Sequence, residues 1–173
     1  MHHDERVAIL GGTFTPVHTG HRALLHKAVQ TASHDGPGDG HVVAGLTSTE
    51  LAHDTRSELL DPGELGTFED RRSTLADELS HISRAYSATF EILELTDSHG
   101  PAATRDDLNA LVVSPEAAAQ RRAHEINARR ESVDLIPLEI HTPPFIVAED
   151  GQRISSTRIR LGEIDDHGRV LTE

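Results

Sequence analysis

Cysteine is absent from the 173-residue chain. That excludes a disulfide framework and any thiolate metal site. No apolar run is long enough to span a bilayer. The first residues, Met1 to Arg6, lack the basic-then-apolar order of a secretory signal. A cytoplasmic location follows as the expectation. Basic charge is also scarce: 16 lysines and arginines face 29 aspartates and glutamates, a formal net charge of −13. A field of that sign repels nucleic-acid backbones and anionic membrane surfaces, so neither is an expected partner. Lys27 is the only lysine. Acid excess with so little lysine suits a protein that stays hydrated in high salt; a GC-rich coding bias is the bland alternative. No stabilisation by molar KCl would exclude the first.

Apolar runs and helical repeats alternate along the chain. Val7 to Leu10 is a short apolar run that stops at Gly11-Gly12, as a buried strand entering a turn does. The spacing predicts a helix from about Gly20 to Ser33, a loop over 34–40 and a second strand from His41 to Leu46. Ser48 to Gly66 is polar and reads as an irregular segment that could cover a site. A helix over Thr67 to Tyr86, an edge strand over Phe90 to Leu95 and a strand over Leu108 to Val113 follow. Then come a helix over Glu116 to Arg130, a strand over Leu135 to Ile140 and a short last helix to about Leu161. The alternation predicts one α/β domain over residues 1–173. Its sheet is Rossmann-like and doubly wound, of about five parallel strands with right-handed crossovers. Residues 1–5 and the last few are expected to be loose. No internal repeat or linker breaks the pattern. Ligands on such a sheet bind beyond the carboxyl ends of its strands.

Two segments there carry chemistry. The first runs Gly11-Gly12-Thr13-Phe14-Thr15-Pro16-Val17-His18-Thr19-Gly20-His21, between a strand and a helix. Unpaired helix-terminal N–H groups and the helix dipole favour phosphate there. Gly11 and Gly12 allow close backbone approach. His18 and His21, three apart, fall on one side of a helical turn. The alternative is that the two histidines only cap the helix. The run is neither a dinucleotide-binding G-x-G-x-x-G nor a P-loop, which needs a lysine. The second segment runs Ile154-Ser155-Ser156-Thr157-Arg158-Ile159-Arg160. Its hydroxyls precede a helix with arginines one turn in, a pattern that holds phosphate oxygens or simply caps a helix.

The first segment resembles the G-G-T-F-D-P-x-H-x-G-H signature of the HxGH nucleotidyltransferase superfamily. Thr15 stands where that superfamily has aspartate. The second is similar to its I-S-S-T-x-I-R motif. The resemblance implies that His18, His21 and Arg158 are catalytic. It implies that Gly11, Gly12, Thr13, Phe14, Ile154, Ser155, Ser156 and Thr157 line the triphosphate site. Three further stretches resemble the archaeal-type phosphopantetheine adenylyltransferases: Gly45-Leu46-Thr47-Ser48, Val112 to Glu116, and Ile126-Asn127 with Arg130. By that resemblance Ser114, Pro115, Glu116, Asn127 and Arg130 flank the adenosine of ATP.

The acceptor is then 4′-phosphopantetheine, an anion that needs a cation. Arg56 and Arg71 are the candidates, beside Thr13 and Thr47; a solvated face paired with Glu58 and Glu69 is the alternative. The resemblance implies Mg²⁺ as cofactor, bridging the phosphates with few protein ligands because it keeps several waters; the archaeal kind looks monomeric, and surface patterning does not decide the oligomeric state. Two other readings stay open: another phosphorylated acceptor such as nicotinamide mononucleotide, or a nucleotide-binding sensor that lost catalysis with the aspartate.

Overall fold

The computed structural model describes residues 5–33, 40–56 and 64–172. Five strands form one sheet: β1 (Arg6–Gly12), β2 (Gly40–Thr47), β3 (Thr89–Leu95), β4 (Ala110–Val112) and β5 (Glu139–His141). Their order is β3-β2-β1-β4-β5, and every pairing is parallel. This is the doubly wound α/β sheet that the alternation predicts. Strand order reverses between β1 and β4, so a crevice opens above those two carboxyl ends.

The helices are α1 (Thr19–Ala32), α2 (Thr49–Arg56), α3 (Phe68–Tyr86), α4 (Ala117–Ser132) and α5 (Ser156–Arg160). On one side of the sheet α1 and α3 bury Leu25, Val29, Leu75 and Leu79 against Leu10, Val42 and Leu46. On the other, Ala123 and Ile126 of α4 pack on Val7, Ile9, Val43 and Leu111. Central β2 is buried on both faces, which is why it reads as one apolar run. Each fully buried large aliphatic residue contributes about 1.5–3 kcal/mol. The last segment has a small core of its own, Ala148, Ile154 and Ile164 with Ile146 and Ile159. No helix among the described residues is long and apolar enough to cross a membrane.

The structure corrects the sequence reading in two places. The segment after Ser48 is not wholly irregular, because α2 forms there. Ser48 Oγ accepts from the amide of Leu51 at 3.0 Å, and Ala52 packs on Leu65. Residues 57–63 lie outside the described part. The strand read from Leu135 pairs only from Glu139. Pro137 has no N–H to give a ladder, and the amide of Leu135 is spent on the carbonyl of Arg130 at the end of α4. The residues expected to be loose at the N-terminus lie outside the described residues except Glu5, which belongs to no strand or helix.

Candidate active site

The loop between β1 and α1 is shaped by what its glycines leave out. A Cβ on Gly12 would lie 2.9 Å from the Phe14 ring, and one on Gly11 would lie 2.9 Å from Leu95 Cδ1. Both glycines thus make room for the protein's own side chains. Phe14 takes φ of 51°, a left-handed conformation that is costly away from glycine. Its ring is 2% exposed and tilts against the His21 imidazole at 5.2 Å. Phe14 therefore supports a histidine from below; its side chain is not a free ligand contact.

His18 is the N-cap of α1. Its Nδ1 accepts from the amides of Gly20 at 3.0 Å and His21 at 3.3 Å. His21 answers with its own Nδ1, which accepts from the amide of His18 at 3.4 Å. The pair is a capping box built from two imidazoles. Since each Nδ1 accepts, the proton of each neutral ring sits on Nε2. Capping does not use up either ring: one nitrogen caps and the other carries the proton. Gly20 is required by this arrangement, because its Cβ would lie 2.9 Å from His18 Cε1.

The first amides of α1 are not unpaired, contrary to the sequence reading. Thr19 N donates to the carbonyl of Asp166 at 3.0 Å, and His18 N to Nδ1 of His21 at 3.4 Å. With Gly20 and His21 held by His18, all four orphan donors of this helix start have partners. Side chains, not the amides of this helix, are what the loop offers a phosphate.

The second motif docks on the first. Ser155 caps α5 by accepting from the amide of Arg158 at 3.3 Å. Ser156 Oγ donates to the carbonyl of Pro16 at 3.3 Å. Arg160 Nη1 donates to the carbonyl of Thr15 at 3.3 Å, and its Nη2 to Thr157 Oγ1 at 3.4 Å. Arg158 turns the other way. Its guanidinium pairs with Asp150 and Glu163 and donates to the carbonyl of Arg153. Those hydrogen bonds hold Arg158 above its ordinary range. Arg160 is thus the arginine that reaches the histidine loop, and Arg158 braces the C-terminal segment. Ile154 is 2% exposed and belongs to that segment's core.

Beside β1 lies a second polar cluster. Thr47 Oγ1 donates to Thr13 Oγ1 at 3.0 Å. Arg71, from α3, donates through Nη2 to the carbonyl of Thr47 at 2.9 Å. Its Nη1 reaches Thr13 O and Thr47 Oγ1, each at 3.4 Å. Arg71 is 3% exposed, and its Nε finds no partner among the described residues. Burial pushes its guanidinium below the ordinary value, and only the more distant charge of Glu94 offsets this. Arg56 ends α2; its side chain lies outside the described residues.

The residues expected to flank adenosine divide. Ser114, Pro115 and Glu116 follow β4 and lead into α4 at the switch in strand order. The carbonyl of Ser114 accepts from Gln120 Nε2 at 2.9 Å, and Glu116 pairs with Arg153. Asn127 and Arg130 turn inward instead. Asn127 makes two bonds to the backbone of Leu138, at 2.9 and 2.8 Å. Arg130 is 1% exposed and donates to the carbonyls of Ala102, Arg105 and Ile136. Arg130 lies on the buried face of α4 with Ala123 and Ile126, and Asn127 beside it is half-buried. Both hold the approach to β5 through these backbone bonds.

The cytidylyltransferase-like family model matches residues 9–162. The phosphopantetheine adenylyltransferase of Methanosarcina acetivorans is 39% identical over 168 residues, 97% of either chain. That of Archaeoglobus fulgidus is 34% identical over 163 residues, covering 94% of this chain and 97% of the relative. The chain belongs to the cytidylyltransferase-like family, among its phosphopantetheine adenylyltransferases. A crystal structure of a protein of unknown function from Archaeoglobus fulgidus is similar with a TM-score of 0.61 and 28% identity. The match covers 80% of this chain and 89% of that one.

Within this family member the matched span contains both histidines and both arginines of the last helix. The I-S-S-T-x-I-R pattern itself puts Arg160 at its fixed arginine and Arg158 at its free position, a signal that the choice of Arg158 as catalytic overlooks. Both arginines pair with acids, Arg158 with Asp150 and Glu163 of its own segment and Arg160 with Glu64 at 3.6 Å; what separates them is that Arg160 reaches the carbonyl of Thr15.

Proposed function

We propose that the protein transfers the adenylyl group of ATP to 4′-phosphopantetheine, giving dephospho-coenzyme A and pyrophosphate. The names of its archaeal relatives support this acceptor. One observation carries it: Arg71 is a buried cation beside two threonine hydroxyls, with no carboxylate in ion-pair contact among the described residues. A buried cation with no carboxylate in contact is costly even when its N–H groups are hydrogen-bonded. An anion bound there removes that cost, and the acceptor's phosphate is such an anion.

The reaction is a direct displacement. A phosphate oxygen of the acceptor attacks the α-phosphorus of ATP, and the bond to pyrophosphate breaks. A phosphate monoester is ionised near neutral pH, so no strong general base is needed. The work of the chain is positioning and stabilisation of the charge that grows on the leaving group. Neutral His18 and His21 donate from Nε2, and Arg160 supplies a fixed positive charge. Mg²⁺ would offset the charge of the triphosphate. Among the described residues no group of three or more histidines or carboxylates could hold a metal. That donor set suits an ion that arrives on the nucleotide and keeps its waters.

Threonine at position 15 is compatible with turnover. Thr15 Oγ1 makes a long contact of 3.5 Å with the carbonyl of Leu65. The histidine pair takes its orientation from its own amides, not from that side chain. This favours the enzyme over a sensor. Arg71→Met tests the acceptor assignment. The Michaelis constant for 4′-phosphopantetheine should rise by on the order of 10²-fold, as for loss of a charged hydrogen-bonding partner, with that for ATP little changed. Equal rises for both substrates would contradict it.

A further inference from the structure

Arg22 directly follows His21 and belongs to neither phosphate motif. Its side chain joins three parts of the fold. Nε donates to Glu78 Oε1 of α3 at 3.2 Å, and Nη2 to Asp166 Oδ2 at 3.1 Å. Asp166 also faces the start of α1. Its carbonyl accepts from the amide of Thr19 at 3.0 Å and from Thr19 Oγ1 at 3.1 Å. One residue of the C-terminal segment thus holds the first turn of the histidine helix, and Arg22 holds that residue.

Stability alone is a weak reason for an arginine here. The two ion pairs are partly solvated, with side-chain exposures of 31% against 24% and 41%. Such pairs contribute little. Arg22 Nη1 is buried with no acceptor among the described residues, which costs more than a solvated pair returns. The contacts converge instead on geometry. The C-terminal segment has its own apolar core. Ser156 to Pro16, Arg160 to Thr15 and Asp166 to Thr19 tie it to the histidine loop within five residues. The polar contacts set where α5 stands relative to His18 and His21.

We propose that Arg22, acting through Asp166, is a positioning residue that fixes the first turn of α1 against the C-terminal segment, and so sets the His18–His21 pair against Arg160. This rests on the reading of that pair as donors to the leaving group. Misplacing a catalytic group by about 1 Å costs on the order of 10²-fold in rate, so a small roll of this turn suffices.

Arg22→Met keeps the length of the stem and removes both ion pairs; Arg22→Lys keeps the charge. Steady-state pyrophosphate release from ATP and 4′-phosphopantetheine would be measured beside thermal unfolding. Nitrogen-15 shifts of the His18 and His21 rings would be recorded without substrate. The expected result for Arg22→Met is a fall in kcat of at least about tenfold, with KM for ATP within about twofold of wild type. Both ring resonances should shift, the unfolding midpoint should be nearly unchanged, and Arg22→Lys should recover part of the rate. Unchanged kcat, or a lower midpoint with unchanged turnover per folded molecule, would overturn the proposal. If wild type turns over no acceptor, the active-site reading fails by itself. The ring shifts still decide the positioning role: unmoved resonances in both variants overturn it.

Discussion

The imidazoles of His18 and His21 stack face to face, with centroids 3.8 Å apart and planes 20° from parallel. Each Nδ1 accepts from the backbone of the other residue. The helix start and the tautomer of both rings are therefore one arrangement, and neither can change alone.

Gly20 makes that arrangement possible, and Gly20→Ala tests it. Alanine favours a helix over glycine by about 1 kcal/mol, so propensity alone predicts a stable variant. The new Cβ would stand 2.9 Å from His18 Cε1 and 3.0 Å from its Nδ1. The expected outcome is a kcat lowered by roughly ten- to a hundredfold with no loss in thermal midpoint. Undiminished kcat would show that the ring can shift without consequence.

The two arginines of α5 should separate in kinetics. Arg160→Met removes the cation that reaches the carbonyl of Thr15. Turnover should fall by about 10²–10³-fold, the usual loss for a donor to developing charge. Arg158→Met frees Asp150 and Glu163 and should reduce turnover at least about tenfold less. Steady-state assays of both variants check this; the reverse order would return the catalytic role to Arg158.

Much of this site is legible in the order of residues along the chain. The apolar run ending at Gly11 and the ordered loop to His21 place the first motif after a central strand, and the fold agrees. What a linear reading misses is which way a helical side chain turns. Asn127 and Arg130 match a motif by spacing, yet the rotation of α4 buries Arg130 and turns Asn127 to the backbone of Leu138. Arg22 escapes a linear reading for a related reason: its partners Glu78 and Asp166 lie 56 and 144 residues away. Helix α2 is hidden because its residues are polar and its capping serine resembles loop composition.

Arg130 carries a prediction about stability rather than binding. Its guanidinium ties three carbonyls at the base of α4. Arg130→Met leaves them without those donors and should cost roughly 3 kcal/mol. For a domain of this size that is a fall of about 6–12 °C in Tm. The Michaelis constant for ATP should stay within about twofold of wild type, since a loss of about 1 kcal/mol in binding would already exceed fivefold. A large rise in that constant with unchanged Tm would put Arg130 at the nucleotide after all.

The most direct test of the central claim is to identify the product by mass spectrometry. Purified protein would be incubated with Mg²⁺ and ATP, in separate reactions with 4′-phosphopantetheine, nicotinamide mononucleotide, flavin mononucleotide and glycerol phosphate, at low salt and in molar KCl. The account predicts dephospho-coenzyme A and pyrophosphate in equal amounts, and no adenylylated product from the other three. An adenylylated product from another acceptor, or ATP binding with no product from any, would contradict it.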